Sequence, residues 1–429
     1  MKMHNYARKI KTHFKNSYTN ILNHLRDYVN HPDIDFTRNN KLNPLSVLLM
    51  VFKFSDHSIE NELLSNEIVV KRQTMMNAIS KFKVSAFRNM FLDSLKIKQK
   101  FQTFHGYQLL AVDGTYFNYR DTRKKKRKHF LCVMFYDVLN KYYVDVRMSS
   151  TILSEIKHCL DMMKNIQMQS ILIMDRGYCS VNLMAHCIEN NQLFLIRAKD
   201  INSNGLLKKC KFKNRSFDTT YTFHLTRNQT IEYKKIPGYR FLSTSSNFDF
   251  IDKDDKNSIY NLTVRIVRFK LPSGNYETII TNLPKSITTE EIKELYHLRW
   301  NIETSFRDLK HTLGGLYLHS KNQENIEKEL YAKLTLYNYI QIMRNQDLYQ
   351  MKVNKILKNK KNIQKYKTVS NFTLVATVVK KLLLYSIKND TFDAAFTNDR
   401  IPIRNNRFRD PTQKITSISI HSYNYRIAA

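Results

Sequence analysis

The chain has 429 residues, 42% of them hydrophobic, enough to bury a large core and, by length, to divide into roughly two to four structural units. Its 70 Lys and Arg against 37 Asp and Glu leave a net charge of +33, spread from Lys2 to Arg426, and such a field attracts a polyanion, nucleic acid before an acidic membrane. No run of about eighteen apolar residues is present, Lys2 to Lys15 is unlike a signal peptide, and the five cysteines (Cys132, Cys159, Cys179, Cys187, Cys210) lack C-x-x-C spacing, so no membrane span, disulfide framework or zinc knuckle is expected. The expectation is a cytoplasmic protein with reduced thiols.

Residues 1–105 are expected to be helical. Leu45 to Phe54 reads as part of a buried helix, and helix-period apolar residues run through Ile59, Leu63 and Leu64 and again through Met75, Met76, Ile79 and Phe82. SNEIVVKRQTMMNAISKF reads as a turn and a helix presenting Arg72, Gln73, Asn77 and Lys81 to solvent, either a DNA-reading helix or the solvated face of a bundle helix. From Tyr107 the period becomes that of strands: YQLLAVDGTYFNY, FLCVMFYDV and YYVDVRMS follow one another, with the basic run Arg123 to Lys128 in the first turn, a solvated loop that also suits phosphate backbone. A helix around Ser154 to Asn165, the apolar strand SILIMD, a helix from Ser180 to Asn190 and a strand at LFLIRAK come next. This order predicts a mixed α/β sheet with a ribonuclease-H-like layout.

Residues 200–285 are expected to be a β-rich insertion, because YTFHL, IEYKKI, YRFLS, LTVRIVRFKL and YETIITNL are short alternating segments, the last two flanking the turn Pro272-Ser273-Gly274-Asn275. A long helix from about Thr289 to Leu313 starts at a T-x-x-E capping box, Thr288 with Glu291, and stops at Gly314-Gly315. Further helices, notably KELYAKLTLYNYIQIMRNQ and SNFTLVATVVKKLLLYSIK, precede a basic polar tail from Arg400.

Of eight glycines, two sit beside acids that end apolar runs, Asp113-Gly114 and Asp175-Arg176-Gly177. A buried strand ending in Asp projects a carboxylate from the sheet, and two from adjacent strands can share a hard cation such as Mg²⁺; each alone also suits a turn or helix cap. On the 289–313 helix, Leu295, Leu298, Ile302, Phe306, Leu309 and Leu313 form a core-facing stripe, and beside it, within roughly 60° of one another, lie Tyr296, Arg299, Glu303 and Lys310. They read either as an amphipathic helix with an i, i+4 ion pair or as a third metal carboxylate flanked by phosphate-holding cations. Trp300 is expected to pack in the core or against a subdomain, since its helix angle points away from Glu303.

YHLRWNIETSFRDLK carries Tyr296, Arg299, Glu303 and Lys310 at Y-x2-R-x3-E-x6-K spacing, and with it the chain resembles the insertion-sequence-four family of bacterial DDE transposases. VDGT at 112–115 and DRGY at 175–178 are similar to that family's first and second carboxylate motifs, and a β-rich segment before the Glu agrees with its order; the resemblance spans about residues 106–345, with weaker echoes in KRQTMMNAISKF and PIRNNRFRDP. The resemblance implies a ribonuclease-H-like catalytic core at 106–199 and 286–345, a β-rich insertion subdomain at 200–285, a helical N-terminal region at 1–105 that binds DNA ends, and a helical C-terminal region at 346–429 for dimerisation or DNA contact. It implies that Asp113, Asp175 and Glu303 are catalytic and hold two Mg²⁺ ions, Mn²⁺ being able to substitute, and that Tyr296, Arg299 and Lys310 hold DNA phosphates. The expected partners are double-stranded DNA, as element ends and target, and a second copy of the chain, in the nucleoid of a bacterial cytoplasm. The implied activity is cleavage of inverted-repeat ends by hydrolysis and transesterification, with a hairpin route, and joining to target. The alternatives are a ribonuclease-H-like nuclease that cuts without joining and a DNA-binding protein derived from a transposase.

Overall fold

The computed structural model describes residues 3–38, 41–97, 100–121, 126–149, 154–208, 210–357, 368–398 and 400–402, so the tail beyond Pro402, with its PIRNNRFRDP segment, and Arg123 to Lys125 of the basic run lie outside the described residues. The N-terminal region is helical as expected: α1 (Met3–Asn23), α2 (Leu25–Tyr28), α3 (Pro44–Lys53), α4 (Ile59–Ser65), α5 (Arg72–Lys81) and α6 (Val84–Ser94). Helix α3 begins where the Asn43 side chain accepts from the Ser46 amide and Pro44 stands at the first helical position, which needs no amide donor.

The middle of the chain is β1 (Gln108–Asp121), β2 (Lys126–Asp137), β3 (Tyr142–Ser149), α7 (Glu155–Met163), β4 (Ser170–Met174), α8 (Val181–Glu189) and β5 (Leu193–Ala198). Next come β6 (Phe217–Thr226), α9 (Ile231–Lys235), β7 (Tyr239–Phe241), β8 (Ile259–Lys270) and β9 (Tyr276–Thr281). The segment IEYKKI, expected as a strand, is thus largely helix α9, a length over which alternation and helical period are indistinguishable. Strands β8 and β9 flank the expected turn, where Gly274 takes φ +87° and its amide bonds the Leu271 carbonyl at 2.9 Å.

Among the described residues, strands β1 to β9 form one sheet in the order β3-β2-β1-β4-β5-β9-β8-β6-β7. Strand β2 runs antiparallel to both β1 and β3, whereas β1, β4 and β5 are parallel. The 200–285 segment is continuous with this sheet, because β9 pairs antiparallel with β5. Alternate residues of β1 feed two cores: Leu109, Ala111 and Phe117 pack with the N-terminal and C-terminal helices, and Leu110 and Val112 pack with α7 and α8.

The expected 289–313 helix is three pieces. The capping box is present, with Thr288 accepting from the Glu291 amide and Glu291 from the Thr288 amide, and it starts α10 (Thr289–Leu298). At Arg299 the regular hydrogen-bond pattern lapses for one residue while the backbone stays helical (φ −52°, ψ −37°); the chain continues as α11 (Trp300–Arg307) and closes in a π turn, Asp308–Thr312, before Gly314 at φ +68°. The long α12 (Gln323–Leu357) follows; α13 (Phe372–Leu384) and α14 (Asn389–Thr397) pack beside it, and a short pair, β10 (Thr368–Val369) with β11 (Ile401–Pro402), ends the described residues. Buried polar groups on α12 hold the end of the π turn to the N-terminal region. Lys333 donates to the carbonyls of Leu313 (3.0 Å) and Phe54 (3.2 Å), and Glu329 accepts from the His319 ring (2.8 Å). These bonds satisfy charges that would otherwise be costly to bury.

Candidate active site

Val112 and Met174 are the last registered pair of the parallel strands β1 and β4. The next residue on each is an aspartate, so Asp113 and Asp175 emerge side by side. They do so differently. Asp175 leaves the sheet, and its carboxylate accepts from the Gly177 amide (2.7 Å) to cap a single 3₁₀ turn. Asp113, by contrast, was expected at a strand end but lies inside β1, which runs on to Asp121 as a hairpin with β2. The reason is that β4, not β1, stops here, so the acid occupies the stretch of β1 whose β4 side is no longer paired.

The Asp113 carboxyl accepts from the Gly114 amide (2.9 Å) and is reached by Arg299 Nη1 at 3.8 Å. Burial raises its pKa to about 7; Arg299 and the Gly114 amide oppose the rise, while the charges of Asp175 and Glu155 add to it. Arg299 Nη2 also donates to Glu303 Oε1 at 2.8 Å, so one guanidinium joins the first and third acids. Glu303 remains 40% exposed, whereas the Arg299 side chain is buried. Among the described residues no three Asp, Glu, His or Cys side chains are gathered tightly enough to enclose a metal ion as they stand.

Two neighbouring donor atoms lack a well-formed hydrogen bond. Tyr296 Oη and Arg299 Nε are buried without a hydrogen-bond partner among the described residues. Burial pushes the Tyr296 pKa up to about 12, with Arg299 and Arg197 opposing. Lys310, in the π turn, donates to Thr115 Oγ1 (2.6 Å) two residues along β1 from Asp113, and its ammonium lies 5.3 Å from the Phe117 ring centroid. Burial lowers its pKa. Beyond Asp175, Arg176, Arg197, Lys199, Tyr276 and Glu277 line a polar cleft in which Arg197 pairs with Glu277 at 3.0 Å.

Trp300, expected to be packed, is 52% exposed and stacks its ring on the Arg299 guanidinium at 4.9 Å. At roughly 100° per residue it lies on the side of the helix away from the apolar stripe of Leu295, Ile302 and Phe306, so its helical position itself turns it to solvent. Glu155, in the first turn of α7, was not singled out by the sequence; its carboxyl reaches β1 at Gly114. A first-turn acid after the Ser154 cap is a common feature, which is why no signal marked it.

Arg72, Gln73 and Asn77 lie exposed on α5 as expected, apart from the acids: Gln73 bonds Asn77 (2.7 Å), and Arg72 pairs with Glu60 at 3.9 Å. Lys81 is partly withdrawn from solvent, 3.8 Å from the buried Asp35 and stacked on Phe36.

Residues 104–339 match the transposase DDE domain family. A probable transposase for insertion sequence element IS5377 from Geobacillus stearothermophilus is 23% identical over 188 residues, 43% of this chain; the chain spans 42% of that relative's length. Among solved structures, a piggyBac transposase synaptic complex with hairpin DNA is similar over 86% of this chain and 72% of its own at 10% identity and a TM-score of 0.41. An endonuclease V from Bacillus subtilis is similar over 57% of this chain and 96% of its own at 11% identity and a TM-score of 0.22, and both scores are too low to speak for a shared fold. The family match covers more than half of the residues, including Asp113, Asp175 and Glu303, and the chain belongs to the transposase DDE domain family.

Proposed function

We propose that this chain is the transposase of a bacterial insertion sequence of the Y-R-E-K type, which cuts the inverted-repeat ends of its element and joins them to target DNA. The observation that carries the reading is the meeting of three acids from distant segments: Asp113 and Asp175 on neighbouring strands, and Glu303 joined to Asp113 through Arg299. The order β3-β2-β1-β4-β5, with β2 alone reversed, supports a ribonuclease-H-like core at 106–199 and 286–345.

The donor set is all carboxylate oxygen, which suits a hard divalent cation, Mg²⁺ with Mn²⁺ as substitute. The reluctance of buried Asp113 to ionise and the guanidinium held between two acids both favour positive charge at this place. Two such ions, when bound, supply activation of the attacking oxygen and stabilisation of the leaving oxygen in an in-line displacement.

The chain's own residues do the rest. Arg299 and Tyr296, with donors lacking partners, and Lys310 hold phosphates of the reacting strand, Arg299 releasing Glu303 as it does so. Exposed Trp300 offers a face on which a base can stack. Residues 1–105 bind the element ends, with Arg72, Gln73, Asn77 and Lys81 of α5 at the base edges. Residues 200–285 act as the insertion subdomain, and 346–429 supply dimerisation or further DNA contact in a homodimeric, nucleoid-associated complex that opens ends through hairpins.

The test is a labelled element end incubated with Mg²⁺ and target DNA. Asp113→Asn, Asp175→Asn and Glu303→Gln should each abolish cleavage and joining while binding of the end is roughly unchanged, because counterion release supplies most of the affinity. A variant that still cleaves normally does not belong to the triad. Cleavage without joining by the unaltered protein would make it a nuclease instead.

A further inference from the structure

We propose that Glu155 is a fourth carboxylate of this centre, a ligand to the cation that the three acids hold; the inference rests on the metal reading above. The acid comes from α7, on the sheet face opposite the Arg299 side, and reaches β1 at the one residue with no side chain to block it. A methyl group at Gly114 would lie 2.5 Å from both the Glu155 carboxyl carbon and one of its oxygens. Gly114 is thus a slot beside Asp113, and the Glu155 carboxyl fills it. Beyond Val112 no described strand pairs with β1 on its β4 side, so the two sheet faces meet there at an open edge, with Asp175 next to it.

A separate observation points the same way. Tyr178, three residues after Asp175, is 1% exposed, and its hydroxyl has no hydrogen-bond partner of good geometry among the described residues. The charges nearest that hydroxyl include Glu155 and Asp113. The hydroxyl lies against Glu155 without completing a well-formed bond, with the charge of Asp113 also close, and so keeps a donor for a further group. Like charges from Asp113, Asp175 and Glu155 brought together would repel one another unless a cation is shared among them.

The ordinary role for Glu155 is that of a first-turn acid favoured by the helix dipole. Binding of Mn²⁺ alone to the full chain, followed by electron paramagnetic resonance without DNA, separates the two. Glu155→Gln should weaken Mn²⁺ binding at least tenfold while the unfolding temperature stays close to that of the unaltered protein. Gly114→Ala should reproduce that loss, because the atoms in its way are the end of a flexible side chain and can be pushed aside without moving backbone. The double variant Gly114→Ala, Glu155→Gln should lose no more than either alone, since both remove the same ligand. Unchanged Mn²⁺ affinity in Glu155→Gln, when Asp113→Asn has lost it, would overturn the proposal and leave the metal reading standing. Unchanged affinity in Asp113→Asn, or no Mn²⁺ binding by the unaltered chain, would overturn both.

Discussion

Arg299 donates to the Glu303 carboxylate at 2.8 Å across one helical turn, and the two are unequally held, Arg299 buried and Glu303 40% exposed. A pair whose acid is loosely held and whose base also reaches Asp113 differs from a surface i, i+4 pair, which contributes only a few tenths of a kcal/mol. Arg299→Ala and Lys310→Ala are expected to remain folded yet to lose a step. A hairpin needs a sharply bent strand, so its formation or opening should slow more than the first nick. A time course resolving nicked, hairpin and joined products checks this; equal slowing of every step would mark a general loss of DNA affinity.

Gly314 takes φ +68°, and a methyl group there would lie 2.8 Å from the Ser55 carbonyl oxygen. The obstacle is backbone, which cannot swing aside. Gly314→Ala should therefore destabilise the chain by about 2–4 kcal/mol, combining left-handed strain with overpacking. Thermal unfolding measures it, and an unfolding temperature equal to that of the unaltered chain would show that this junction is slack.

Asp218 accepts from Arg265 through two nitrogens, at 2.9 and 2.7 Å, and is also held by Lys285. The Arg265 hydrogen bonds, outweighing partial burial, hold its pKa down to about 2 against an ordinary 3.8. The folded state thus favours the ionised form. Its stabilisation is fully present above pH 3.8 and is lost as the pH falls through about 2. Unfolding temperatures of the unaltered chain and Asp218→Asn should converge across that window, and a constant difference would show that the ion pair does not titrate with folding.

On α5, Gln73 and Asn77 are exposed and, among the described residues, bond each other, whereas Lys81 is engaged with Asp35 and Phe36. Gln73→Ala and Asn77→Ala should each cost roughly 1–3 kcal/mol against the element's end and leave affinity for unrelated DNA unchanged. Lys81→Ala should change DNA binding less. Competition binding with end and scrambled duplexes decides, and equal losses on both would return α5 to the role of a bundle helix.

Local pattern alone determined much of this protein. Period-two and period-3.6 apolar spacing placed β1 to β5 and the helices around them, the Thr288 and Glu291 box set the start of α10, and Gly314 set the end of the helical run. Each rests on interactions within a few residues, which a sequence displays directly. The candidate acids Asp113, Asp175 and Glu303 came from the resemblance of VDGT, DRGY and the Y-R-E-K spacing to a family, since spacing alone left each with an ordinary turn, cap or ion-pair role. Tertiary structure decided what depends on where a neighbour stops or approaches. Asp113 stands inside β1 rather than at its end because β4 ends beside it; β9 joins the 200–285 segment to β5; and Glu155 enters the space at Gly114 from another helix. These contacts link residues far apart in the chain, and no periodicity within either partner encodes the distance between them.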